Sequence, residues 1–447
     1  MTPYMYDTAL LLSLGFARPS AREAAESFRQ VFPGVSTRVG GRVRAFDERT
    51  TVGLMLGQAL GRNAPCKEAV RRAQLELGMD LSASTAAFCK ARGRVLPSTL
   101  EGMSARLCAE ADVLCGLDEF SGVRALDGTT LQASDTEENR VEWPYASGPK
   151  SGCGFPVVGA LVAHSLVGKG SSILVTAPWK AHDFRLYVEA SARFKAGELH
   201  VGDRAFCSFT AFAILAEAGA DGIFRGKDWC RKSRQDDVTL GPGDRLTKWE
   251  KRQSKQSMTV PPERRAGFPD EITVRVITAK IRVRGFRDEE IVVVTSLLDD
   301  KKYPKEKILE WYLRRWEVEV SFRDMKTTLR YEFIRGRTPL IVKLEVGVLI
   351  LAYNLMRYVI ARGRARGQRR GIASTAAAAM AFISTVPMLY AARRSLERAF
   401  SRLVAAVAAD ALSRRKRKNY VRAVKRRPKP YPLLTKPRSE YRQEEVI

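Results

Sequence analysis

From residue 119 onward, short segments rich in Val, Ile, Leu and Thr recur along the sequence, and most are bounded by glycine or proline. Segments of this kind are typical of β-strands. We predict strands at Val123–Leu131, Phe155–Leu166, Ser171–Pro178, Glu198–Val201, Gly222–Gly226 and Glu290–Leu298. The first three follow one another, whereas the later ones alternate with helical patterns near 183–194 and 208–219. This order predicts an α/β fold, with flanking helices on a mixed sheet.

By contrast, residues 1–118 carry apolar residues at spacings of three and four, which predicts a helical N-terminal domain. Its predicted helices include Ala21–Val31, Thr51–Leu60 and Cys66–Leu77. After a glycine-containing turn, the segment Ala83–Val95 carries Lys90, Arg92 and Arg94 on a further predicted helix. This pattern is typical of a helix-turn-helix motif, but any packed helical hairpin looks the same. Both DNA recognition by the basic helix and plain helix packing remain open.

From residue 119 onward, the composition of the chain divides it into a core in two parts, an insertion between them and a basic tail. Residues 119–226 form the first part of the α/β core, and 288–400 form the second part, with a long helix predicted at 305–329. Between them, the segment 227–287 contains Gly241-Pro242-Gly243, many basic residues and alternating apolar runs, and we interpret it as a β-rich insertion. The basic C-terminal tail covers 401–447. Its Arg414–Arg438 stretch has twelve Lys and Arg residues and no acid, as expected of an arm that contacts phosphates or of a solvated tail.

The charge of the chain constrains its partners. Lysine and arginine outnumber aspartate and glutamate by 76 to 49, which gives a formal charge of +27. An excess of this size favours a polyanionic partner, and in a chain of 447 residues we expect nucleic acid. The alternatives are a ribosomal protein or one whose basic residues only keep it in solution. The seven cysteines are scattered without a C-x-x-C pair, which indicates reduced thiols and neither a zinc site nor a disulfide framework.

No segment of the sequence has the pattern of a signal peptide or a membrane span. The most apolar stretch, Val342–Ile360, is interrupted by Lys343, Glu345, Asn354 and Arg357, so we predict a buried core helix. We therefore expect a cytoplasmic protein that reaches chromosomal DNA directly, with no membrane partner.

The predicted helix at 305–329 carries Tyr312, Arg315, Glu319 and Lys326. At about 100° per residue, these four side chains lie within an arc of about 60° on one face of a regular helix. Two interpretations are open: a charged face exposed to solvent, or a functional face that places one carboxylate among phenol, guanidinium and ammonium groups.

Two aspartates, Asp127 and Asp203, are each predicted to lie at the end of an apolar strand. Either alone is also typical of a turn or a helix cap. With Glu319 they would form a set of three carboxylates, whose mutual repulsion divalent cations such as Mg²⁺ relieve. Two such ions about 3.5–4 Å apart can activate a water or a 3′-hydroxyl and stabilise the leaving oxygen of a phosphodiester. The set therefore predicts in-line phosphoryl transfer without a protein nucleophile.

The spacing Tyr312-x2-Arg315-x3-Glu319-x6-Lys326 resembles, at every position, the Y-R-E-K signature of the insertion-sequence family-four transposases. The segments 126–129 (Leu-Asp-Gly-Thr) and 201–204 (Val-Gly-Asp-Arg) look like the blocks around that family's first and second aspartates, and the likeness covers nearly the whole chain. Supporting similarity is found at Ser84–Arg92, Ala352–Arg357 and Lys425–Tyr431.

The resemblance implies a ribonuclease H-like catalytic core, with the β-rich insertion between the second aspartate and the glutamate. It implies that Asp127, Asp203 and Glu319 are catalytic residues that bind two Mg²⁺ ions per active site, with Mn²⁺ as a substitute. Tyr312, Arg315 and Lys326 would bind DNA phosphates, for which the planar fork of arginine is well suited.

The activity implied is DNA cleavage and strand transfer at the terminal inverted repeats of an insertion sequence. In this cut-and-paste scheme, a nick frees a 3′-hydroxyl that attacks the opposite strand and forms a hairpin, which is reopened before joining to target DNA. The partner is double-stranded DNA, and a homodimer would synapse the two ends. The alternatives are a non-catalytic DNA-binding protein derived from a transposase, and a metal nuclease that cuts without joining.

One departure from the family concerns tryptophan. Relatives can place a Trp on the strand before the signature helix to stack on a flipped base, but the run 291–296 (Ile-Val-Val-Val-Thr-Ser) has no aromatic residue. Trp229 and Trp249 could substitute for it, although we expect both to pack in the core. Trp311 and Trp316 lie off the Tyr312 stripe, and we expect them to pack inward.

Another segment, Gly168-Lys169-Gly170, contains a lysine between glycines. It lacks the spacing and the following Ser or Thr of a phosphate-binding loop, so the sequence assigns it no function.

Overall fold

The computed structural model describes residues 46–77, 84–116, 122–145, 154–179, 183–281, 289–365, 372–373, 375, 377–382, 384, 396–409 and 411–412. The predicted helix Ala21–Val31, the turn before the basic helix and the tail stretch Arg414–Arg438 lie outside these residues.

Within 46–77 and 84–116, the described residues of the N-terminal part are mainly helical. Its helices are α1 (Glu48–Leu60), α2 (Cys66–Leu77), α3 (Ala86–Arg92) and α4 (Pro97–Leu114). Asp47 caps α1 by accepting a hydrogen bond from the backbone nitrogen of Thr50 at 2.7 Å, and α4 begins with proline, which is favoured in a first turn. These helices share one apolar core with two later helices, α11 (Pro339–Ala365) and α12 (Leu396–Ala409).

In the described part of the chain, ten strands form a single mixed sheet. They are β1 (Val123–Ala133), β2 (Val157–Ser165), β3 (Ser171–Pro178), β4 (Leu199–Gly202), β5 (Asp221–Arg225), β6 (Val238–Gly241), β7 (Asp244–Glu250), β8 (Glu271–Ile281), β9 (Glu289–Thr295) and β10 (Phe333–Ile334). Their order is β3-β2-β1-β4-β5-β9-β8-β7-β6, and β10 pairs with the far end of β1. The predicted α/β class, with a large mixed sheet and flanking helices, is therefore confirmed. A separate two-stranded pairing joins β11 (Ile372–Ala373) to β12 (Ala411–Leu412).

The direction of each strand follows from its connection. Strands β1, β2 and β3 are successive in the chain and pair antiparallel. Strands β4 and β5 are parallel to β1, because the helices α6 (Asp183–Ala190) and α7 (Phe209–Ala218) carry the chain across the sheet between them. Helix α7 begins at its Ser208 cap and ends at Gly219, whose φ of 65° is the left-handed conformation that favours glycine. The remaining short helices are α5 (Glu137–Glu142) and α8 (Pro262–Ala266).

The predicted β-rich segment 227–287 contributes β6, β7 and β8, which continue the central sheet through β9. Its charges are partly internal. Arg275, which is almost fully buried, donates two hydrogen bonds to the Asp244 carboxylate, at 2.8 and 2.5 Å. This pairing satisfies a charge that would otherwise be costly to bury.

The two faces of the sheet are covered by different helices. On one face, Leu126, Phe224 and their neighbours pack against α6 and α7 in an aromatic-rich core. On the other, Ala125, Val201 and Ile223 pack beneath the helix predicted at 305–329. Because side chains alternate along a strand, residues two positions further along face the same side.

The helix predicted at 305–329 is helical but not uniform. It consists of α9 (Lys305–Leu313), a 3-10 turn at Arg314–Trp316, α10 (Glu317–Arg323) and a π-helical turn at Asp324–Thr328. We keep the name signature helix for the whole stretch. Interruptions of this kind are frequent at functional sites. They also rotate later residues away from the positions that a regular helix would give them.

Helix α11 spans 27 residues and includes the predicted core helix Val342–Ile360. Among the described residues it is the one helix long and apolar enough to cross a membrane, but most of it is buried inside the protein. The side chain of the fully buried Asn354 accepts a hydrogen bond from the backbone nitrogen of Ser171 at 2.8 Å and donates one to the hydroxyl of Ser104 at 2.8 Å. These contacts are those of a core helix, as predicted.

Candidate active site

Asp127 lies within β1, six residues before its last residue Ala133, and not at the strand end that we predicted. The strand runs on to Ala133 because β2 supports it along its length. On the opposite side, however, β4 pairs only with Val123–Ala125. The backbone beside Asp127 is therefore open toward β4, although the strand continues. The Asp127 carboxylate accepts a hydrogen bond from the Gly128 nitrogen at 2.9 Å.

Asp203 follows the last residue of β4 directly, as predicted. Its carboxylate accepts a hydrogen bond from the Ala205 nitrogen at 2.7 Å, which closes a tight turn. The parallel register pairs Ala125 with Val201. Asp127 and Asp203 therefore each lie two residues beyond the last paired residues of neighbouring strands, and the Asp203 charge acts on the Asp127 carboxyl.

Glu319 reaches this region from α10, which packs against β1 and β2. Arg315 lies between the carboxylates. Its guanidinium is 2.8 Å from a Glu319 oxygen and 3.7 Å from an Asp127 oxygen. Glu319 is more than half exposed, whereas Asp127 and Arg315 are each about one-fifth exposed.

The pKa of the Asp127 carboxyl is raised from its ordinary value of 3.8 to about 6. Burial is the main cause, and the charges of Asp203 and Glu319 add to it, whereas Arg315 and the Gly128 N–H oppose the shift. The carboxylates of Asp203 and Glu319 are therefore close enough to Asp127 for their charges to act on it.

The donor set is chemically suited to Mg²⁺, since all three groups supply hard oxygen ligands. Within the described ranges, however, no three His, Cys, Asp or Glu side chains are close enough together to hold a metal ion. The positive charge between Asp127 and Glu319 is the Arg315 guanidinium. Metal binding by all three carboxylates therefore requires Arg315 to release Glu319.

Tyr312, Arg315 and Glu319 follow one another along one side of the signature helix, since Tyr312 contacts Arg315 and Arg315 pairs with Glu319. Tyr312 is buried, which raises its pKa, and it lies close to Arg315. Lys326 lies in the π-helical turn, where burial lowers its pKa and the neighbouring charge is Glu332. The 3-10 and π-helical turns break the constant angle of about 100° per residue on which the prediction rested.

Arg225 is a candidate site residue that the sequence analysis missed. The β4–β5 register pairs Gly202 with Phe224, so Arg225 is level with Asp203 on the next parallel strand. It faces the same side as Ile223, beneath the signature helix, and its charge acts on the Tyr312 hydroxyl. The sequence analysis predicted strands at Glu198–Val201 and Gly222–Gly226. A parallel pairing of these two strands would have indicated that Arg225 lies close to Asp203.

The tryptophans divide differently from the prediction. Trp249 and Trp311 are buried as expected, but Trp229 is 47% exposed and Trp316 is 57% exposed, so the inward packing predicted for these two is wrong. Trp229 lies on a short 3-10 turn outside the strands of the sheet, and its side chain is partly exposed. Its ring is 5.1 Å from that of Trp249, at the side of a cleft of about 350 Å³.

Basic side chains line the cleft beside Trp229. They are Lys227, Arg234 and Arg252. Ser208 and Gln256 also line it, and Gln256 donates a hydrogen bond to the Ala205 carbonyl at 2.7 Å. The cleft is therefore connected structurally to the turn that follows Asp203.

The basic helix of the N-terminal part, α3, exposes fewer charges than its sequence indicates. Arg92 is buried and forms an ion pair with Glu345 of α11, and Arg94 donates to the Phe46 carbonyl at 3.1 Å. Lys90 is exposed. Arg92 therefore contributes to packing and is not available to DNA.

Comparison with known proteins gives consistent results. A family model described as a transposase DDE domain matches residues 118–355. The chain is 24% identical over 334 residues to the transposase InsG for insertion sequence element IS4 of Escherichia coli (strain K12), covering 71% of this chain and 70% of InsG. A protein of Sinorhizobium fredii (strain NBRC 101917 / NGR234) named as the transposase y4zB is 26% identical over 165 residues, covering 36% of this chain and 43% of y4zB.

Among solved structures, the cryo-EM structure of a piggyBac transposase synaptic complex with hairpin DNA matches 90% of this chain and 85% of the piggyBac chain. The TM-score is 0.43 and the sequence identity is 11%, a likeness too distant to establish a shared fold.

Proposed function

This chain belongs to the transposase DDE domain family, and from that premise we propose that it cuts the terminal inverted repeats of an insertion sequence and joins them to target DNA. Transposition is the function that the family match and the IS4 relative support. The particular steps, residues and metal ions that follow are our proposal for this chain.

The observation that supports the proposal is the proximity of the three acidic groups. Asp127 and Asp203 each lie two residues beyond the last paired residues of neighbouring parallel strands, and Arg315 of the signature helix contacts both Asp127 and Glu319. Burial, together with the charges of Asp203 and Glu319, raises the pKa of the Asp127 carboxyl. An arrangement of this kind would be unfavourable without an external cation or a function that requires one.

DDE domains generally act with divalent metals such as Mg²⁺. We propose that Asp127, Asp203 and Glu319 hold two Mg²⁺ ions, or Mn²⁺ in their place. Bound there, the ions would supply activation of the attacking oxygen and stabilisation of the leaving oxygen. The three carboxylates would fix the positions of the ions, and the partial burial of Asp127 limits the access of bulk water to its carboxylate.

The cations around the carboxylates are suited to hold the DNA backbone. Arg315, once released from Glu319, can grip a phosphate with its planar fork, and Arg225 lies in the same row beside Asp203. The Tyr312 hydroxyl lies close to both arginines. Lys326 completes the signature, and the charge that acts on it is that of Glu332.

We also propose that the core is ribonuclease H-like. The five strands that precede the insertion are ordered β3-β2-β1-β4-β5, with β1 to β3 antiparallel and β4 and β5 parallel to β1. The first aspartate lies on β1 and the second follows β4. The strands of 227–287 extend this sheet.

The hairpin step needs a place for an unpaired base. Trp229 offers an exposed ring beside a basic cleft, and every base can stack on such a ring. We propose that Trp229 stacks on the unpaired base, a role for which the run 291–296 has no aromatic side chain. Cut-and-paste movement with a hairpin intermediate, in a homodimer that synapses two ends within the cytoplasm, completes the proposal.

The deciding experiment uses labelled DNA that carries a terminal repeat of the element, purified full-length protein, Mg²⁺ and an unlabelled target. We expect a nick, then a hairpin on the element end, then joined product. Hairpins that never appear would remove that step, and cut DNA that is never joined would indicate a metal nuclease. Binding without any cleavage would support the alternative of a non-catalytic DNA-binding protein, which the Arg315 ion pairs in the site favour.

A further inference from the structure

The turn between β2 and β3 contains Gly168-Lys169-Gly170, which the proposed chemistry does not use. A Cβ on Gly168 would be 2.6 Å from the backbone nitrogen of Asp112, and one on Gly170 would be 2.5 Å from the Cys108 sulfur. Both glycines therefore allow the turn to lie directly on α4. Lys169, between them, has a φ of 63°, a conformation that is unusual for a residue with a side chain.

The turn is fixed to α4 by polar contacts as well. One carboxylate oxygen of Asp112 accepts hydrogen bonds from the Gly168 nitrogen at 2.8 Å and from the Ser165 hydroxyl at 2.6 Å. The other oxygen pairs with Arg124 of β1 at 3.2 Å. The position of Lys169 is thus set by the helical part of the protein and by β1.

From this turn Lys169 contacts the signature helix. Its ammonium group donates to the Glu317 carboxylate and, at 2.8 Å, to the Leu166 carbonyl. Arg314 donates to the same two acceptors, reaching Glu317 at 3.0 Å. Two cations and two acceptors therefore form a closed ring, in which the three charged side chains are about one-fifth exposed.

The ring includes Arg314, the first residue of the 3-10 turn at Arg314–Trp316, and Glu317, the residue directly after it. At this turn the signature helix changes geometry. Arg314 directly precedes Arg315, and Glu317 is two residues before Glu319. A 3-10 turn has poorer hydrogen-bond geometry than an α-helix, so its position needs support from other contacts. The ring supplies that support on the side facing the β2–β3 turn.

We propose that Lys169, Arg314 and Glu317 are positioning residues that hold this break, so that Arg315 and Glu319 face Asp127. The inference rests on the proposed function, because it assigns the ring a purpose in the same reaction. In this role the ring contacts neither the substrate nor the metal ions. It aligns the groups that do.

The first test is kinetic, with full-length protein and saturating terminal-repeat DNA. Misplacement of reacting groups by about 1 Å can cost about 100-fold in rate, so Lys169→Met should lower kcat about 10- to 100-fold with KM for DNA unchanged. Lys169→Arg should retain most activity. The matched control is Lys343→Met, which removes an equal charge from the exposed Lys343–Glu142 pair and should leave kcat unchanged.

Charge exchange separates positioning from a direct phosphate contact. Glu317→Lys and Lys169→Glu should each lose activity as single variants. The double variant that combines them should have a kcat at least 10-fold higher than that of either single variant. A double variant no better than the singles would overturn the proposal. So would a Lys169→Met variant that raised KM for DNA with kcat unaltered, or that matched the Lys343→Met control.

The second test does not depend on activity. Amide hydrogen exchange in the full-length protein should become faster at residues 314–320 in Glu317→Gln, whose side chain keeps its shape, and remain unchanged at 305–313. Unchanged exchange at 314–320 would overturn the proposal even if the lysine variant failed to fold. If wild-type protein cleaved no DNA while this exchange pattern held, the proposed function would fail and the structural role of the ring would stand.

Discussion

Two aspartate–arginine pairs, one in each half of the sheet, differ in how fully the arginine satisfies the carboxylate. In the half built by β6 to β9, Asp244 receives two hydrogen bonds from Arg275, and the two side chains are 7% and 1% exposed. In the half built by β1 to β5, Asp127 has one contact with Arg315, at 3.7 Å, and must share it with Glu319. The first pair stabilises the fold, whereas the second leaves negative charge for an incoming cation.

The difference shows how one sheet can serve two purposes with the same residue types. A carboxylate that its own chain neutralises completely has no capacity left to bind a metal ion. A carboxylate grouped with others around one arginine keeps that capacity, at a cost in stability.

The largest effect is expected in the half that holds the carboxylate group. Asp127→Asn, Asp203→Asn and Glu319→Gln should each lower DNA cleavage by about 10³-fold or more, equivalent to about 4 kcal/mol, because each removes a metal ligand. Cleavage of terminal-repeat DNA in Mg²⁺ measures this loss, with DNA binding followed separately. Glu310→Gln, an exposed glutamate on the same helical stretch, should remain active. Full activity in any of the three would remove that residue from the site.

The next effect concerns the other half. Asp244→Ala leaves the Arg275 charge buried without its partner, and should lower the apparent free energy of unfolding by about 3–5 kcal/mol. Urea unfolding followed by circular dichroism gives the value, and the double variant Asp244→Ala with Arg275→Met should lose less than the single one. If Asp244→Asn and Asp127→Asn destabilised the protein equally, the proposed difference between the halves would be wrong.

A third effect is a gain in stability. The folded-state pKa of Asp127, about 6, lies above its ordinary value of 3.8, so the folded protein holds this proton more tightly and loses stability as pH rises from about 4 to about 6. Asp127→Asn should therefore stabilise the metal-free protein by at most about 3 kcal/mol at pH 8, with the gain vanishing near pH 4. Urea unfolding at both pH values, in chelator, measures it. A gain that did not depend on pH would contradict the assigned cause.

A smaller effect is expected at Arg225, which the parallel register places in the carboxylate row. Hydrogen bonds to charged groups contribute about 1.5–3 kcal/mol, so Arg225→Met should lower cleavage about 10- to 100-fold. Arg225→Lys should recover only part, because lysine lacks the planar fork. Arg231→Met, an exposed arginine in the insertion, is the matched control. Equal losses in the two Met variants would point to general electrostatics.

The smallest effect is expected at the aromatic cleft. Stacking of one base on an aromatic ring contributes about 1–3 kcal/mol, so Trp229→Ala should weaken binding of DNA with an unpaired terminal base about 5- to 150-fold. Blunt duplex binding should change little. Trp229→Phe, which keeps an aromatic ring at the same position, serves as the control and should retain most of the binding. The same loss for both DNA substrates would argue against a base-stacking role.

Much of the fold could be predicted because its signals are local. The strand at Ser171–Pro178 and the helix from Ser208 to Gly219 agree with their predicted bounds, since alternation, caps and left-handed glycines are written in neighbouring residues. The site was less predictable. Asp127 was placed at a strand end because the sequence does not show that β2 supports β1 beyond it.

Other differences have the same origin. Exposure of Trp229 and burial of Arg92 depend on which element covers each side chain, and that element is distant in sequence. The 3-10 turn at Arg314–Trp316 coincides with contacts from Lys169, about 150 residues earlier in the chain. A regular helix was the natural expectation from the local pattern alone.

The alternation of strands and helices and a charge that favours DNA as the partner can be read from the amino-acid sequence. The folded chain adds that Arg225 lies on the strand beside the one that Asp203 follows, and that Arg315 lies between the carboxylates of Asp127 and Glu319. Periodicity and capping act over a few residues, whereas strand register and helix packing depend on surfaces that meet only when the chain is folded.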